Sequence, residues 1–179
     1  MITTDHHIFF YTNYLSNWWS TRDIKPQFTD PVSKIAWNNT EEAFMAAKAQ
    51  FFGDEETHAL IVEHAKARGH PREVKALGRL VKGYDEAEWS CVRKGFMAHV
   101  NLMKYRQNPD LAAQLKATGN RILVEASPVD LVWGAGLNEE DCLKHEQNSS
   151  FVGASLVWPG RNLLGKALMT VRDLLQDRA

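Results

Sequence analysis

Apolar positions recur with a helical period through most of this chain, and runs rich in β-branched or aromatic residues are few and short. The longest periodic segment predicts a helix over 85–106. Its apolar stripe comprises Trp89, Val92, Phe96, Val100 and Met103. A final helix is predicted over 163–176, and its apolar face comprises Leu164, Ala167, Leu168, Val171 and Leu175.

Signals at helix ends predict four further helices. Asn39 can cap the first of them, and Glu42, three residues on, would be its reciprocal capping-box partner. Prolines open two of the others, because the first turn of a helix does not need the amide that proline lacks. The four helices are predicted from the cap at Asn39 to about 52, over 55–67, over 71–80, and from 109 to about 119.

Strands are predicted over 7–11, 32–37 and 121–125, and residues 12–31 are predicted as a loop. The strands do not alternate with the helices as βαβ units require. The pattern therefore predicts a single, mainly helical α+β domain over 1–179 rather than a doubly wound sheet. No GxGxxG follows a strand and no GxxxxGK[ST] occurs, so neither a Rossmann nor a P-loop mechanism is supported.

Composition excludes several classes of protein. Of the 179 residues, 44% are hydrophobic and 24% are charged, as in ordinary globular domains. The 21 basic and 22 acidic residues disfavour a protein held to nucleic acid mainly by phosphate neutralisation. No apolar run approaches about 18 residues, so no transmembrane helix is expected. A polar start at Met1–His7, and two cysteines (Cys91 and Cys142) without a CxxC pattern, indicate a reduced, cytoplasmic setting.

The titratable residues offer no recognisable metal or nucleophile motif. The seven histidines include no HExxH and join no cluster with cysteines and aspartates. Neither cysteine lies in a known catalytic signature, and no GxSxG elbow occurs. We therefore expect no metal and no cofactor.

One candidate for chemistry is the predicted helix that follows Asn39. Glu41 in its first turn and Lys48 seven residues later share one face, because seven residues are nearly two helical turns. The alternative interpretation is that Glu41 only favours the helix dipole and Lys48 is a solvated charge.

Two glycine-containing segments are the other candidates. In DLVWGAG, Asp130 precedes Trp133, which offers a stacking face, and Gly134, which allows close backbone approach. The alternative is an aspartate in a turn and a tryptophan in the core. In GRNLLGK, the amides that open a helix can bind an anion with help from Arg161, whereas the alternative is an ordinary helix start.

Six motifs occur in one order along the chain: LSNW at 15–18, TE through Lys48 at 40–48, GR at 78–79, Trp89, DLVWGAG at 130–136 and GRNLLG at 160–165. Each motif is weak alone, but the series is specific. Together the motifs resemble the NADAR family, which includes the riboflavin-intermediate N-glycosidases. The resemblance extends from about Ile8 to Leu175.

The resemblance implies a mainly helical α+β fold and hydrolysis of N-glycosidic bonds. Family substrates include early ribosylated pyrimidine intermediates of riboflavin synthesis, and other members remove ADP-ribose from guanine. On matching positions, Glu41, Trp89 and Asp130 carry over as functional residues. Further positions that match the family pattern are Trp133, Asn17, Lys48, Arg79 and Asn162.

Two departures from the family pattern bear on the substrate. Glu42 and Ala43 replace the His-Tyr pair that often follows the family's glutamate. The stretch 137–159 is longer than in compact bacterial glycosidases, and it resembles a branch with a tryptophan, here Trp158, before the Gly-x-Asn-Leu-Leu-Gly motif. Both departures concern the identity of the substrate and leave the bond type unchanged.

The matched residues predict a reaction with two carboxylates. Cleavage of a ribosyl C–N bond builds positive charge on C1′ and the ring oxygen, and Glu41 and Asp130 would together stabilise that charge or activate water. Trp89 or Trp133 would stack on the leaving base. The ribose phosphate would pair with one of three cations: Arg79, Lys48 or Arg161. The remaining substrate-binding candidates are Asn17, Gly134 and Asn162.

Three functions stay open at this point. The first is a metabolite N-glycosidase acting on a phosphoribosylaminopyrimidine, a small molecule. The second is a hydrolase that removes ADP-ribose from guanine, for which nucleic acid would be a partner only as modified substrate. The third is a non-catalytic binder of ADP-ribose or a nucleotide. The two carboxylates favour an enzyme, and the near-neutral charge leans against a nucleic acid substrate.

Overall fold

A computed structural model describes residues 1–20, 26–151 and 153–176 of the chain. Helices dominate these ranges, so the predicted mainly helical α+β class is confirmed. The strands are β1 (Ile2–Thr3), β2 (His7–Phe10), β3 (Phe28–Thr29), β4 (Ala36–Trp37) and β5 (Ile122–Glu125). The helices are α1 (Thr40–Phe51), α2 (Glu55–Ala67), α3 (Pro71–Arg79), α4 (Glu86–Gln107), α5 (Pro109–Ala117), α6 (Glu139–Gln147) and α7 (Leu163–Gln176).

The chain divides into two compact units. Unit 1 comprises Met1–Ser16 and Pro109–Ala179, and unit 2 comprises Asn17–Asn108. Each unit therefore contains part of the predicted site. The expectation of one domain over 1–179 stays a prediction.

Unit 1 contains a three-stranded sheet in the order β1-β2-β5. Strand β2 pairs antiparallel with β1 and parallel with β5, with His7 opposite Ile122 and Phe10 opposite Glu125. All four residues of β2 are buried, which explains its continuous apolar and aromatic sequence. Helix α7 packs directly on β5, because a side chain at Gly165 would meet the Leu123 carbonyl oxygen at 2.0 Å.

Helix α6 and strand β1 are elements that the sequence pattern missed. Helix α6 begins at Asn138, whose side chain accepts the Asp141 amide at 2.9 Å. Cys142 is its buried residue, so the helix has no apolar stripe to find. A tertiary contact ties it to the sheet, since Nδ1 of the buried His7 lies 2.6 Å from a Glu146 carboxylate oxygen.

Unit 2 is built around helix α1, which packs against α2, α3 and α4. Strands β3 and β4 pair antiparallel, with Phe28 opposite Trp37. The predicted strand over 32–37 is wrong at its start, because the Asp30 side chain accepts the amides of Val32 and Ser33 in a turn. Strand β3 replaces part of the predicted loop over 12–31, of which 21–25 lie outside the described residues.

Helix α4 buries a face rotated from the predicted stripe. Val92, Phe96 and Met103 of that stripe are only half-buried. The buried residues are Trp89, Arg93, Met97, Val100, Asn101, Lys104 and Tyr105. The helix therefore turns three polar side chains inward, an arrangement that hydrophobic periodicity cannot predict. Across the described ranges, no helix combines the length and the apolar character needed to cross a bilayer.

Candidate active site

The start of α1 places Glu41 in unit 2. Asn39 has an extended backbone and its side chain accepts the Glu42 amide at 3.0 Å, so the predicted N-cap is confirmed. Glu41 follows in the first turn and only 5% of its surface is exposed. A carboxylate at this position is favoured by the helix dipole, and its burial distinguishes it from a solvated surface charge.

Glu42, the neighbouring glutamate, has a structural role different from the one predicted. Its carboxylate accepts the Asn38 amide at 2.8 Å and the Asn38 side-chain amide at 3.1 Å, rather than returning to Asn39. Nδ1 of His64 lies 3.9 Å from the same carboxylate. Glu42 is fully buried and tied to the segment before the helix, so the capping-box prediction is wrong in its second half.

Asn17 and Glu41 are joined by a main-chain hydrogen bond. Its carbonyl oxygen accepts the Glu41 amide at 3.2 Å, and its side-chain amide donates to the Met97 sulfur at 3.2 Å. The Asn101 side-chain amide also points at Met97, donating to its carbonyl at 3.0 Å. The two Oδ1 atoms of Asn17 and Asn101 are buried without hydrogen-bond partners. The structure thus brings Asn17 and Glu41 together. It adds Asn101 to the residues around Met97, and only its helical spacing from Met97 could have indicated this from the sequence.

Lys48 and Arg79 belong to the same unit. The Lys48 ammonium donates to the Gly78 carbonyl at 2.7 Å and lies 4.0 Å from the centre of the Tyr84 ring. Burial lowers the pKa of Lys48, partly offset by the carboxylate of Glu86. Arg79 is exposed. The Lys48 ammonium is therefore bound to the main chain of the residue that precedes Arg79.

Trp89 lies inside an aromatic cluster of unit 2. Only 4% of its surface is exposed, and its ring stacks on Phe96 at 5.5 Å between centroids. Phe44 approaches it at 5.4 Å and Phe51 at 5.8 Å. This packing alone explains why a tryptophan occupies position 89. Its contact with substrate stays a prediction.

Asp130 lies in a tight turn of unit 1. One carboxylate oxygen accepts the amides of Val132 at 3.0 Å and Trp133 at 2.8 Å, and its carbonyl accepts the Gly134 amide at 3.1 Å. Gly134 is required by this turn, since a side chain there would meet the Ser127 Cβ and the Asp130 oxygen at 2.8 Å. Asp130 and Trp133 are half-buried. Asp130 therefore lies in a turn, as the alternative interpretation of this aspartate predicted. This position is compatible with a carboxylate that also contacts a ligand.

The beginning of α7 is tied to the same turn. Four consecutive amides, those of 161–164, donate to the carbonyl oxygens of 131–134 at 2.8–3.2 Å. These amides are consequently occupied, and the anion site that the sequence left open at this helix start does not form from them. Arg161 itself is exposed.

The side chain of Asn162 is hydrogen-bonded to strand β5. Its Oδ1 accepts the Glu125 amide at 3.0 Å and its Nδ2 donates to the Leu123 carbonyl at 2.9 Å. The residue is 3% exposed and has a left-handed backbone, with φ 50°, which asparagine tolerates better than most residues. Its fit to the family pattern thus has an architectural explanation, and its predicted contact with substrate is untested.

The predicted residues fall into two sets. Unit 2 holds Asn17, Glu41, Lys48, Arg79 and Trp89, and unit 1 holds Asp130, Trp133, Gly134, Arg161 and Asn162. A separate shallow pocket in unit 2, of about 330 Å³, is lined by Gln50, Gly53, Asp54, Glu55 and His58 and includes none of them. Within the described ranges, no group of three or more His, Cys, Asp or Glu side chains is arranged to hold a metal ion.

The model of the NADAR domain matches residues 9–176, and the chain therefore belongs to the NADAR family. The "N-glycosidase R617" of Acanthamoeba polyphaga mimivirus is 37% identical over 135 residues, which cover 75% of this chain and 72% of that protein. This similarity identifies the chain as a hydrolase of the N-glycosidase class. "Riboflavin biosynthesis protein PYRR, chloroplastic" of Zea mays is 30% identical over 144 residues, 78% of this chain and 20% of that protein.

The fold also matches a solved structure. The NMR structure of the E. coli protein YbiA superposes with a TM-score of 0.68 and 24% sequence identity, covering 99% of this chain and 89% of that one. At this identity the likeness establishes the fold alone. The match to the NADAR domain confirms the predicted family, and this likeness confirms the mainly helical architecture.

Proposed function

We propose that this N-glycosidase hydrolyses the bond between ribose and the nitrogen of an aminopyrimidine in a phosphoribosylaminopyrimidine. The observation that supports this most strongly is the buried Glu41 in the first turn of α1, held at its amide by Asn17, in a chain of the NADAR family. The riboflavin-biosynthesis name of the maize relative supports the choice of a pyrimidine intermediate.

In the proposed reaction, the ribosyl C–N bond breaks and its electron pair leaves with the base nitrogen. Positive charge develops on C1′ and the ring oxygen, where a carboxylate lowers the energy of the transition state. Water adds to C1′ and gives up a proton, which one carboxylate accepts, and a proton is delivered to the departing base. The products are ribose 5-phosphate and the free aminopyrimidine.

We assign the carboxylate work to Glu41 and Asp130. Glu41 suits it because it is nearly buried, and a charge in a water-poor site acts on a developing cation more strongly than one in water. Asp130 is proposed as the second carboxylate because it matches the family pattern and the amides of Val132 and Trp133 fix the position of its side chain.

Lys48 and Arg79 are proposed to bind the 5′-phosphate. The carbonyl of Gly78 positions the Lys48 ammonium, and the exposed Arg79 guanidinium follows directly in the chain. A guanidinium can pair with a phosphate through two parallel hydrogen bonds, which a lysine cannot do. We also expect the enzyme to act in the cytoplasm, because its two cysteines form no CxxC pattern and a reduced setting suits them.

The test is product analysis with the full chain and two substrates. We expect a phosphoribosylaminopyrimidine to yield ribose 5-phosphate and free base by mass spectrometry, with turnover that persists in EDTA. Release of ADP-ribose from an ADP-ribosylated guanine instead would assign the chain to the second activity. Turnover of neither substrate, or loss in EDTA that a divalent ion restores, would refute the proposal.

A further inference from the structure

Trp18 is the most exposed of the six tryptophans of this chain. Its surface is 38% accessible, whereas that of Trp37 is 3% and that of Trp89 is 4%. The indole therefore keeps more than a third of its surface open to solvent, and a partly exposed aromatic ring is suited to stacking on a planar ring.

The position of Trp18 in the chain links it to the candidate carboxylate. It directly follows Asn17, whose carbonyl oxygen holds the Glu41 amide at 3.2 Å. A base stacked on this indole would thus be bound by the residue next to the one that anchors Glu41. Trp89, in contrast, is enclosed by other aromatic rings and offers no open face in unit 2.

The indole lies beside one cation of α3 and the histidine that caps this helix. The Lys75 ammonium lies 5.9 Å from the Trp18 ring centre, and the His70 ring meets the indole edge to face at 6.0 Å. Arg72 and Arg79 lie three residues before and four residues after Lys75, so the three cations share one face of the helix. The acidic Glu73 is turned toward His64, with 3.2 Å between their polar atoms. An aromatic ring beside a row of cations matches a nucleotide, whose planar base carries a phosphate nearby.

We propose that Trp18 stacks on the base of the substrate nucleotide and that Lys75, beside the indole, adds to the attraction of the phosphate that Lys48 and Arg79 bind. This inference rests on the proposed function, because it assigns the base of that substrate to Trp18, a residue of the LSNW motif that was not among the predicted substrate-binding residues. It also replaces Trp89 as the stacking residue of unit 2. The ligand class is a pyrimidine nucleoside 5′-phosphate, with the base recognised by its face and the phosphate by charge.

The test compares two probes that differ only in the base. Dissociation constants for cytidine 5′-monophosphate and ribose 5-phosphate are measured by calorimetry with the wild-type chain and its variants. Trp18→Ala should weaken binding of the nucleotide about 10- to 100-fold and leave ribose 5-phosphate within about twofold, because stacking needs a base. Lys75→Ala should weaken both probes and reduce the salt dependence of binding.

Two controls keep the result specific. Trp18→Phe should restore most of the nucleotide affinity, since it returns an aromatic face, and Phe151→Ala, at another exposed aromatic residue, should change neither constant. Circular dichroism checks that each variant is folded. The inference is overturned if the wild-type chain does not bind the nucleotide, if Trp18→Ala affects both probes equally, or if it affects neither. Hydrolysis is assayed separately, so binding without turnover would refute the proposed function and leave this inference standing.

Discussion

The two regions that hold the predicted carboxylates are built in opposite ways. Around Glu41 in unit 2, one main-chain bond is made by the residue itself, since the Asn17 carbonyl accepts the Glu41 amide at 3.2 Å. Around Asp130 in unit 1, the side chain closes the turn by accepting the amides of Val132 and Trp133. The main-chain bond at Glu41 survives a change of side chain, whereas both turn bonds at Asp130 depend on its side chain.

The same contrast extends to the residues around each carboxylate. In unit 1, the Asn162 side chain is bound to the backbone of β5, and the amides that open α7 are bound to the carbonyls of 131–134. In unit 2, Asn17 and Asn101 each keep a buried side-chain oxygen without a partner. Unsatisfied buried polar atoms cost stability, and unit 1 contains them too, at His7 Nε2 and Asn13 Nδ2, so the contrast between the units lies in how each carboxylate is held.

The largest expected effect is on catalysis by Glu41→Gln. The substitution keeps the shape of the side chain and removes its charge, so turnover should fall by about 10²–10⁴-fold with little change in melting temperature. Steady-state kinetics and thermal denaturation measure the two quantities on one preparation.

Glu42→Gln is the matched control for that experiment. The Glu42 carboxylate is buried and accepts the Asn38 amide, so its substitution should lower the melting temperature and leave turnover much less affected. Similar, small effects of the two substitutions on rate would remove the main reason to regard Glu41 as catalytic.

Trp89→Ala should act chiefly on stability. The aromatic cluster encloses this ring, and truncation of a buried tryptophan costs about 3–5 kcal/mol of unfolding free energy. Urea denaturation should show a large loss, and activity should fall only as the folded fraction falls. A variant that stays fully folded and loses turnover would instead favour the predicted contact with substrate.

The paired substitutions Asp130→Ala and Asp130→Asn separate the turn from the chemistry. Alanine removes the acceptor of two amides and should cost about 1–3 kcal/mol, whereas asparagine keeps an acceptor oxygen and should preserve most of the stability. If Asp130 also serves the reaction, the asparagine variant will be folded and slow. A folded asparagine variant with wild-type turnover would confine Asp130 to the turn.

The smallest expected effect lies outside both regions, at the cap of α2. The Asp54 carboxylate accepts the amides of Thr57 and Lys82, and these bonds lower its pKa to about 2. A carboxyl whose folded pKa lies below its unfolded pKa stabilises the fold at neutral pH, and this contribution disappears as pH falls toward 2. The melting temperature of Asp54→Asn should thus be slightly below wild type at pH 6, and the difference should shrink between pH 4 and pH 2. A difference that is constant over this range would contradict the assigned cause.

Most elements could be predicted from the sequence, and the exceptions have physical reasons. The bounds of α2 and α7 match the prediction because capping residues and apolar spacing are local signals. Helix α6 has no apolar stripe and is held by a distant contact between His7 and Glu146, which no local pattern reveals. The order of motifs indicated the family and the carboxylates, but not the exposure of Trp18 or the inward turn of Asn101.

The sequence alone determined the helical periods, the N-cap at Asn39, the buried strand β2 and the membership of the NADAR family, because each depends on residues close in the chain or on their order. Tertiary structure decided which of several similar residues are available to a ligand. Trp18 directly follows the predicted site residue Asn17, and Trp89 is itself a predicted site residue. Trp18 is nevertheless 38% exposed, whereas Trp89 is 4% exposed. Burial depends on contacts between segments far apart in sequence, so the composition and spacing of either segment could not distinguish them.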